Sequence, residues 1–105
     1  MKITAIRLFQ TDLPHRDPEG YAWGAGNVIK VARATVVEVS TDAGLTGVGE
    51  FTPCGENYMV AHSEGVLAAA RLMAPSLLGE DPRQLYRMER LMDHIAEHVG
   101  IDRVE

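Results

Sequence analysis

The residues able to do chemistry in this 105-residue sequence are few and scattered. His94-Ile95-Ala96-Glu97-His98 has the spacing H-x-x-E-H, which on a helix puts two imidazoles on one face, as a two-histidine metal site requires. A catalytic zinc needs a third protein ligand, and only Asp102 and Glu105 follow, too close to fold back from a separate element. The segment therefore reads as an exposed polar helix end, at most an opportunistic surface metal site. Cys54, the single cysteine, stands between Pro53 and Gly55. A thiolate nucleophile needs a base beside it, and no pattern brings His15 or His62 there, so Cys54 reads as a small apolar residue. No catalytic residue and no metal ligand is assigned.

Tyr21, Trp23 and Tyr58 are the candidate binding residues. Two of the six aromatics, Tyr21 and Trp23, fall in one glycine-rich stretch, His15 to Asn27 (HRDPEGYAWGAGN), and Tyr58 closes another, Phe51 to Tyr58 (FTPCGENY). They could wall a pocket, facing an ammonium group through a cation–π contact worth about 0.5–2 kcal/mol. They could instead anchor the two loops to the domain's own core, and on residue type alone anchoring is favoured. Gly24-x-Gly26 and Gly47-x-Gly49 lack the third glycine and helix of a dinucleotide loop and the Gly-Lys-Ser/Thr of a phosphate loop.

The elements that must hold these residues divide the chain in half. Lys2 to Leu13, rich in Ile, Leu, Phe and Thr, predicts a strand ended by Pro14. After the first loop, Val28 to Thr41 predicts a second strand with Thr35, Val37 and Val39 on one face. Asp42-Ala43-Gly44 is a turn, and Leu45 to Phe51 returns as a third strand, its Gly47 and Gly49 leaving a bare face for another element to approach. His62 to Met73 carries Val66, Leu67, Ala70 and Met73 at helical spacing, with Ser63 as a possible cap and Pro75 as the breaker. Asp81 as N-cap and Pro82 at the first helical position predict a second helix. Its apolar stripe is Leu85, Met88, Leu91, Met92 and Ile95, and Gly100 stops it. The fold class is α+β, a three-stranded antiparallel meander followed by helices on one face of the sheet.

Composition narrows the partners. Apolar residues at 46% and charged residues at 24% suit an ordinary globular domain, and the length allows one. A net charge of −5 with dispersed carboxylates argues against nucleic acid and against an anionic membrane surface. The start, MKITAIRLFQTDLP, lacks the apolar core and small-residue cleavage site of a signal peptide. One cysteine suits a reducing compartment, so the cytoplasm is expected.

Two motifs then carry a resemblance. Thr35 to Glu50 reads T-V-V-E-V-S-T-D-A-G-L-T-G-V-G-E, and Ala74 to Pro82 reads A-P-S-L-L-G-E-D-P. Together they resemble the N-terminal domain of the mandelate racemase and muconate lactonizing branch of the enolase superfamily, over roughly residues 1 to 93. GYAWGAG, FTPCGENYM and His62-Ser63-Glu64-Gly65-Val66 look like the subgroup of cis-3-hydroxyproline dehydratases and hydroxyproline-betaine epimerases.

The resemblance implies a single capping domain over residues 1–105, part of a larger two-domain enzyme whose (β/α)7β barrel is not in this chain. Such a barrel needs about 200 residues or more, and neither Lys2 nor Lys30 lies in the K-x-K pair that the family uses for its bases. The barrel would bind Mg²⁺ and begin catalysis by abstracting the proton α to a carboxylate. The capping domain would supply two loops that select a small carboxylate substrate, an amino-acid or proline derivative. Under this resemblance Tyr21, Trp23, Cys54 and Tyr58 become the expected substrate-binding residues, the chain alone is expected to be inactive, and a homo-oligomer is expected. The segment from His94 to Glu105 departs from the family pattern. The alternative is a stand-alone, non-catalytic α+β module that dimerises or binds a partner.

Overall fold

The computed structural model describes residues 1–23, 26–53 and 63–98. Strand β1 (Ile3–Pro14) pairs antiparallel with β4 (Val31–Thr41), which pairs antiparallel with β5 (Thr46–Phe51). These form one sheet in the order β1-β4-β5. A two-stranded hairpin, β2 (Tyr21–Trp23) with β3 (Asn27–Ile29), stands apart from it. Helices α1 (Ser63–Leu77) and α2 (Leu85–His98) complete the chain. The antiparallel meander backed by helices is as expected, and the described residues contain no barrel.

The register runs Ile6↔Val39, Leu8↔Val37, Gln10↔Thr35 and Asp12↔Arg33, so these residues share a face. Helix α1 covers that face: Ile6 and Leu8 line a cleft with Arg71, Ala74 and Leu78. Thr35, fully buried on it, accepts a hydrogen bond from the Gln10 amide at 3.2 Å. The opposite face carries the Arg7–Glu38 ion pair (3.1 Å) and leaves Phe9 and Val48 exposed.

The core is thin. Among the described residues only Ile3, Ala34, Thr35 and Met88 are buried. The radius of gyration is 16.2 Å, against about 13 Å for a compact chain of this length. A groove of about 610 Å³, lined by Ile3, Val39, Leu45, Leu77, Met88 and Met92, opens between α2 and the sheet.

Four expectations need correction. The first loop is not structureless, because Tyr21–Trp23 and Asn27–Ile29 fold into the β2–β3 hairpin and the long strand starts at Val31 rather than Val28. Pro75 does not end α1, which continues to Leu77. Proline deprives only the Arg71 carbonyl of its helical donor, and the Leu78 N–H still donates to the Ala74 carbonyl at 3.2 Å. Asp81 caps a single turn, its carboxylate accepting from the Arg83 N–H at 3.0 Å and its carbonyl from the Gln84 N–H at 3.1 Å. The first bond of α2, Met88 N–H to the Gln84 carbonyl at 3.0 Å, makes Gln84 the N-cap, and Leu85 at 71% exposure falls outside the inward stripe. Nothing among the described residues comes within 4 Å of a Cβ built on Gly47 or Gly49, so their bare face meets no close neighbour there.

Backbone bonds tie the end of α1 to β1, and an ion pair ties α2 to the segment that follows α1. The Ile3 N–H donates to the Glu80 carbonyl and the Gly79 N–H to the Ile3 carbonyl, both at 2.8 Å. Gly79, at φ +84°, takes the left-handed conformation that ends α1. Arg87 on α2 holds the Glu80 carboxylate bidentately at 2.8 and 3.0 Å. That hydrogen bonding keeps the Glu80 carboxyl below its ordinary 4.5. Stability from this pair is therefore fully present above pH 4.5 and is lost as the pH falls through the lower folded-state value. Urea unfolding from neutral pH to about pH 3 should show the wild type losing more stability below the ordinary carboxylate range than Arg87→Met does. Equal losses would mean that the pair does not hold α2.

Candidate functional site

Antiparallel pairing decides where the two loops emerge. Pro14, the last residue of β1, pairs with Val31, the first of β4, and Phe51, the last of β5, pairs with Thr35. Both loops thus leave the same end of the sheet, their roots about 13 Å apart along β4. The second loop returns into α1 at Ser63, and Glu64 in the first turn of that helix reaches back to Arg33. The two loops therefore share one rim.

The first loop is held by its own backbone. The His15 N–H donates to the Lys30 carbonyl at 2.9 Å, extending the β1–β4 ladder by one rung. The His15 Nδ1 accepts from the Asp17 N–H at 3.1 Å, and the Asp17 carboxylate accepts from the Glu19 N–H at 2.9 Å. Gly20 then enters the hairpin at φ +84°. A Cβ there would lie 2.6 Å from the Ile29 carbonyl oxygen, so only glycine fits. Tyr21 stacks obliquely on His15, their centroids 6.1 Å apart at 32°.

Of the four expected binding residues, Tyr21 lies on β2 at 58% exposure, with its ring outside the domain core. Trp23 closes β2 opposite Asn27. Cys54 and Tyr58 lie outside the described residues. Leu13, Val28 and Val31 are also exposed on the hairpin and its root, a set that the sequence reading passed over.

It also passed over Arg33. The Arg33 guanidinium donates from Nε and Nη2 to the two Asp12 oxygens at 2.8 and 3.3 Å, and from Nη1 to Glu64 Oε1 at 2.8 Å. Hydrogen bonding to Arg33 lowers the Asp12 pKa, and hydrogen bonding to Asp12 and Glu64 raises that of Arg33. The available signal was the opposed charge of Asp12 and Arg33 near the two ends of the first loop. Among the described residues no three His, Cys, Asp or Glu side chains gather to hold a metal ion. Asp12, Glu80 and Asp81 each face an arginine instead. Within the described residues no helix is long and apolar enough to cross a membrane.

An open sheet with helices on one face and two loops on one rim defines a small α+β domain of the capping class. The sequence model of the mandelate racemase / muconate lactonizing enzyme N-terminal domain matches residues 4–101, and the chain belongs to this family. It is 44% identical over 93 residues to a cis-3-hydroxy-L-proline dehydratase from Roseibium aggregatum, covering 89% of this chain and 25% of that protein. A mandelate racemase/muconate lactonizing enzyme from Roseovarius nubinhibens ISM superposes with a TM-score of 0.83 at 71% identity, over 90% of this chain and 25% of that one. A second structure from the same organism, complexed with magnesium, gives 0.81 at 44% identity, again over 90% and 25%. The chain spans about a quarter of the length of these relatives.

Replacing Gly20 with Ala combines left-handed strain with a backbone clash. It should cost roughly 1–3 kcal/mol, concentrated in the β2–β3 hairpin. Gly26→Ala, at φ +80° with open space around it, should cost less, about 1 kcal/mol. Denaturant midpoints and amide exchange at Tyr21 and Ile29 check the order, and equal effects would remove the clash from the account.

Proposed function

We propose that this chain is the substrate-selecting capping domain of a larger Mg²⁺-dependent racemase, epimerase or dehydratase, acting on a proline derivative. The reaction class begins with abstraction of the proton α to a carboxylate. The observation that carries the reading is the common rim: two loops leave one end of the sheet and present an exposed aromatic there. The dehydratase relative acts, by its name, on cis-3-hydroxy-L-proline, which points to the substrate class.

Within the reading, Tyr21, Trp23, Cys54 and Tyr58 are the substrate-binding residues. Tyr21 offers a ring face to a pyrrolidinium or a betaine nitrogen. In this reading the bases and the metal ligands belong to a barrel domain outside these 105 residues; among the described residues no three His, Cys, Asp or Glu side chains gather to hold a metal ion. The thin core and the open groove suit a domain completed by a second body. The working protein is a cytoplasmic homo-oligomer.

The full-length protein should dehydrate or epimerise a hydroxyproline in the presence of Mg²⁺ and lose turnover on chelation. Tyr21→Ala should raise KM about tenfold, since it removes binding shared by ground and transition states. Turnover unaffected by both chelation and Tyr21→Ala would defeat the proposal.

A second reading, a non-catalytic module that dimerises, draws on the same groove and on Val48, which is 69% exposed on the outer sheet face. Sedimentation of the chain expressed alone separates the two, because a folded monomer at micromolar concentration excludes the dimerising module.

A further inference from the structure

The Asp12–Arg33–Glu64 cluster lies where the fold most needs a fixed angle. Asp12 and Arg33 are direct partners across β1 and β4, each two residues from where the first loop leaves the sheet. Glu64 stands one residue into α1, at the end of the second loop. Arg33 is also two residues along β4 from Thr35, which pairs with the last residue of β5. One guanidinium therefore touches the root of the first loop and the far root of the second.

These contacts are exposed, with side-chain exposures of 48% for Arg33, 53% for Asp12 and 67% for Glu64. Ion pairs so open to water add little to global stability. A planar guanidinium, however, offers donors in fixed directions. One edge, Nε and Nη2, takes Asp12 and Nη1 takes Glu64, with the nearest oxygen 2.8 Å away on both sides. Lysine, a single point of charge on a flexible stem, cannot hold both at those angles.

From this geometry we infer that Arg33 is a positioning residue, which sets the β2–β3 hairpin relative to the first turn of α1 and so fixes the spacing of the two walls that meet substrate. The inference rests on the capping role proposed above. Arg33 touches neither substrate nor reacting atoms in this account. It acts through the placement of Tyr21 and of the start of α1.

The test uses the full-length protein with Arg33→Met, Arg33→Lys and Glu64→Gln. Without substrate, amide exchange in Arg33→Met should quicken about fivefold or more over both Tyr21–Ile29 and Glu64–Ala68, while Val36–Val39 in the central ladder stays unchanged. With cis-3-hydroxy-L-proline as the probe, KM should rise about tenfold and kcat should stay within about threefold. Arg33→Lys should keep hairpin exchange near the wild-type rate and still raise KM. Glu64→Gln, a substitution on an exposed helix start that leaves the sheet intact, should quicken exchange in the α1 segment alone. Unchanged exchange in both segments, or a fall in kcat with KM unmoved, would overturn the positioning role even where the wild type turns over substrate. Quickened exchange in both segments of a protein that turns over no proline derivative would retain the clamp and overturn the capping reading instead.

Discussion

The pairing of β1 with β4 is the constraint on which the other parts depend. It runs from Ile3↔Thr41 to Pro14↔Val31, with one irregularity between Ile3 and Ala5. This ladder makes β4 the central strand and puts both ends of the first loop side by side. It also fixes the face on which Ile6, Leu8, Val37 and Val39 await the helices. Once β5 adds to the other edge, the second loop has no choice of exit. A shift of one residue would turn Thr35 and Val37 outward and separate Asp12 from Arg33.

The helices contribute less burial than their length suggests. Among the described residues of α2 only Met88 is buried, while Leu85 and Tyr86 face solvent. Backbone bonds and arginine–carboxylate pairs do the attaching: Ile3 to Gly79 and Glu80, Arg87 to Glu80, Arg33 to Glu64. Such pairs give direction more than energy. The result is a domain whose geometry is well specified although its interior is small.

Much of the fold was legible from residue patterns. Alternation in Thr35, Val37 and Val39, the Asp42–Gly44 turn, and the helical spacing of Val66, Leu67, Ala70 and Met73 each mark an element without reference to the rest of the chain. What escaped the reading depends on neighbours distant in sequence. The β2–β3 hairpin is three residues a side, too short for a periodic signal, and needs Gly20 against the Ile29 carbonyl. The start of α2 was displaced because Asp81 spends its carboxylate on Arg83 within a preceding turn. At the site, aromatic and glycine content drew attention to the first loop, whereas Arg33 looked like one more charge on a strand. Its meaning came from Glu64, which is adjacent only after α1 has docked.

The pair of bonds joining Ile3 to Gly79 and Glu80 has a further consequence for biosynthesis. Ile3 finds its last backbone partners only after the chain has been made as far as Gly79 and Glu80. The leading edge of β1 must wait, paired on one side only, while β4, β5 and α1 assemble. Closing so long a loop is entropically slow unless the sheet has already brought its ends together, so this seam forms late and opens early. Extensions fused ahead of Met1 would accordingly be felt in how fast the native state comes apart, with little influence on how fast it is reached.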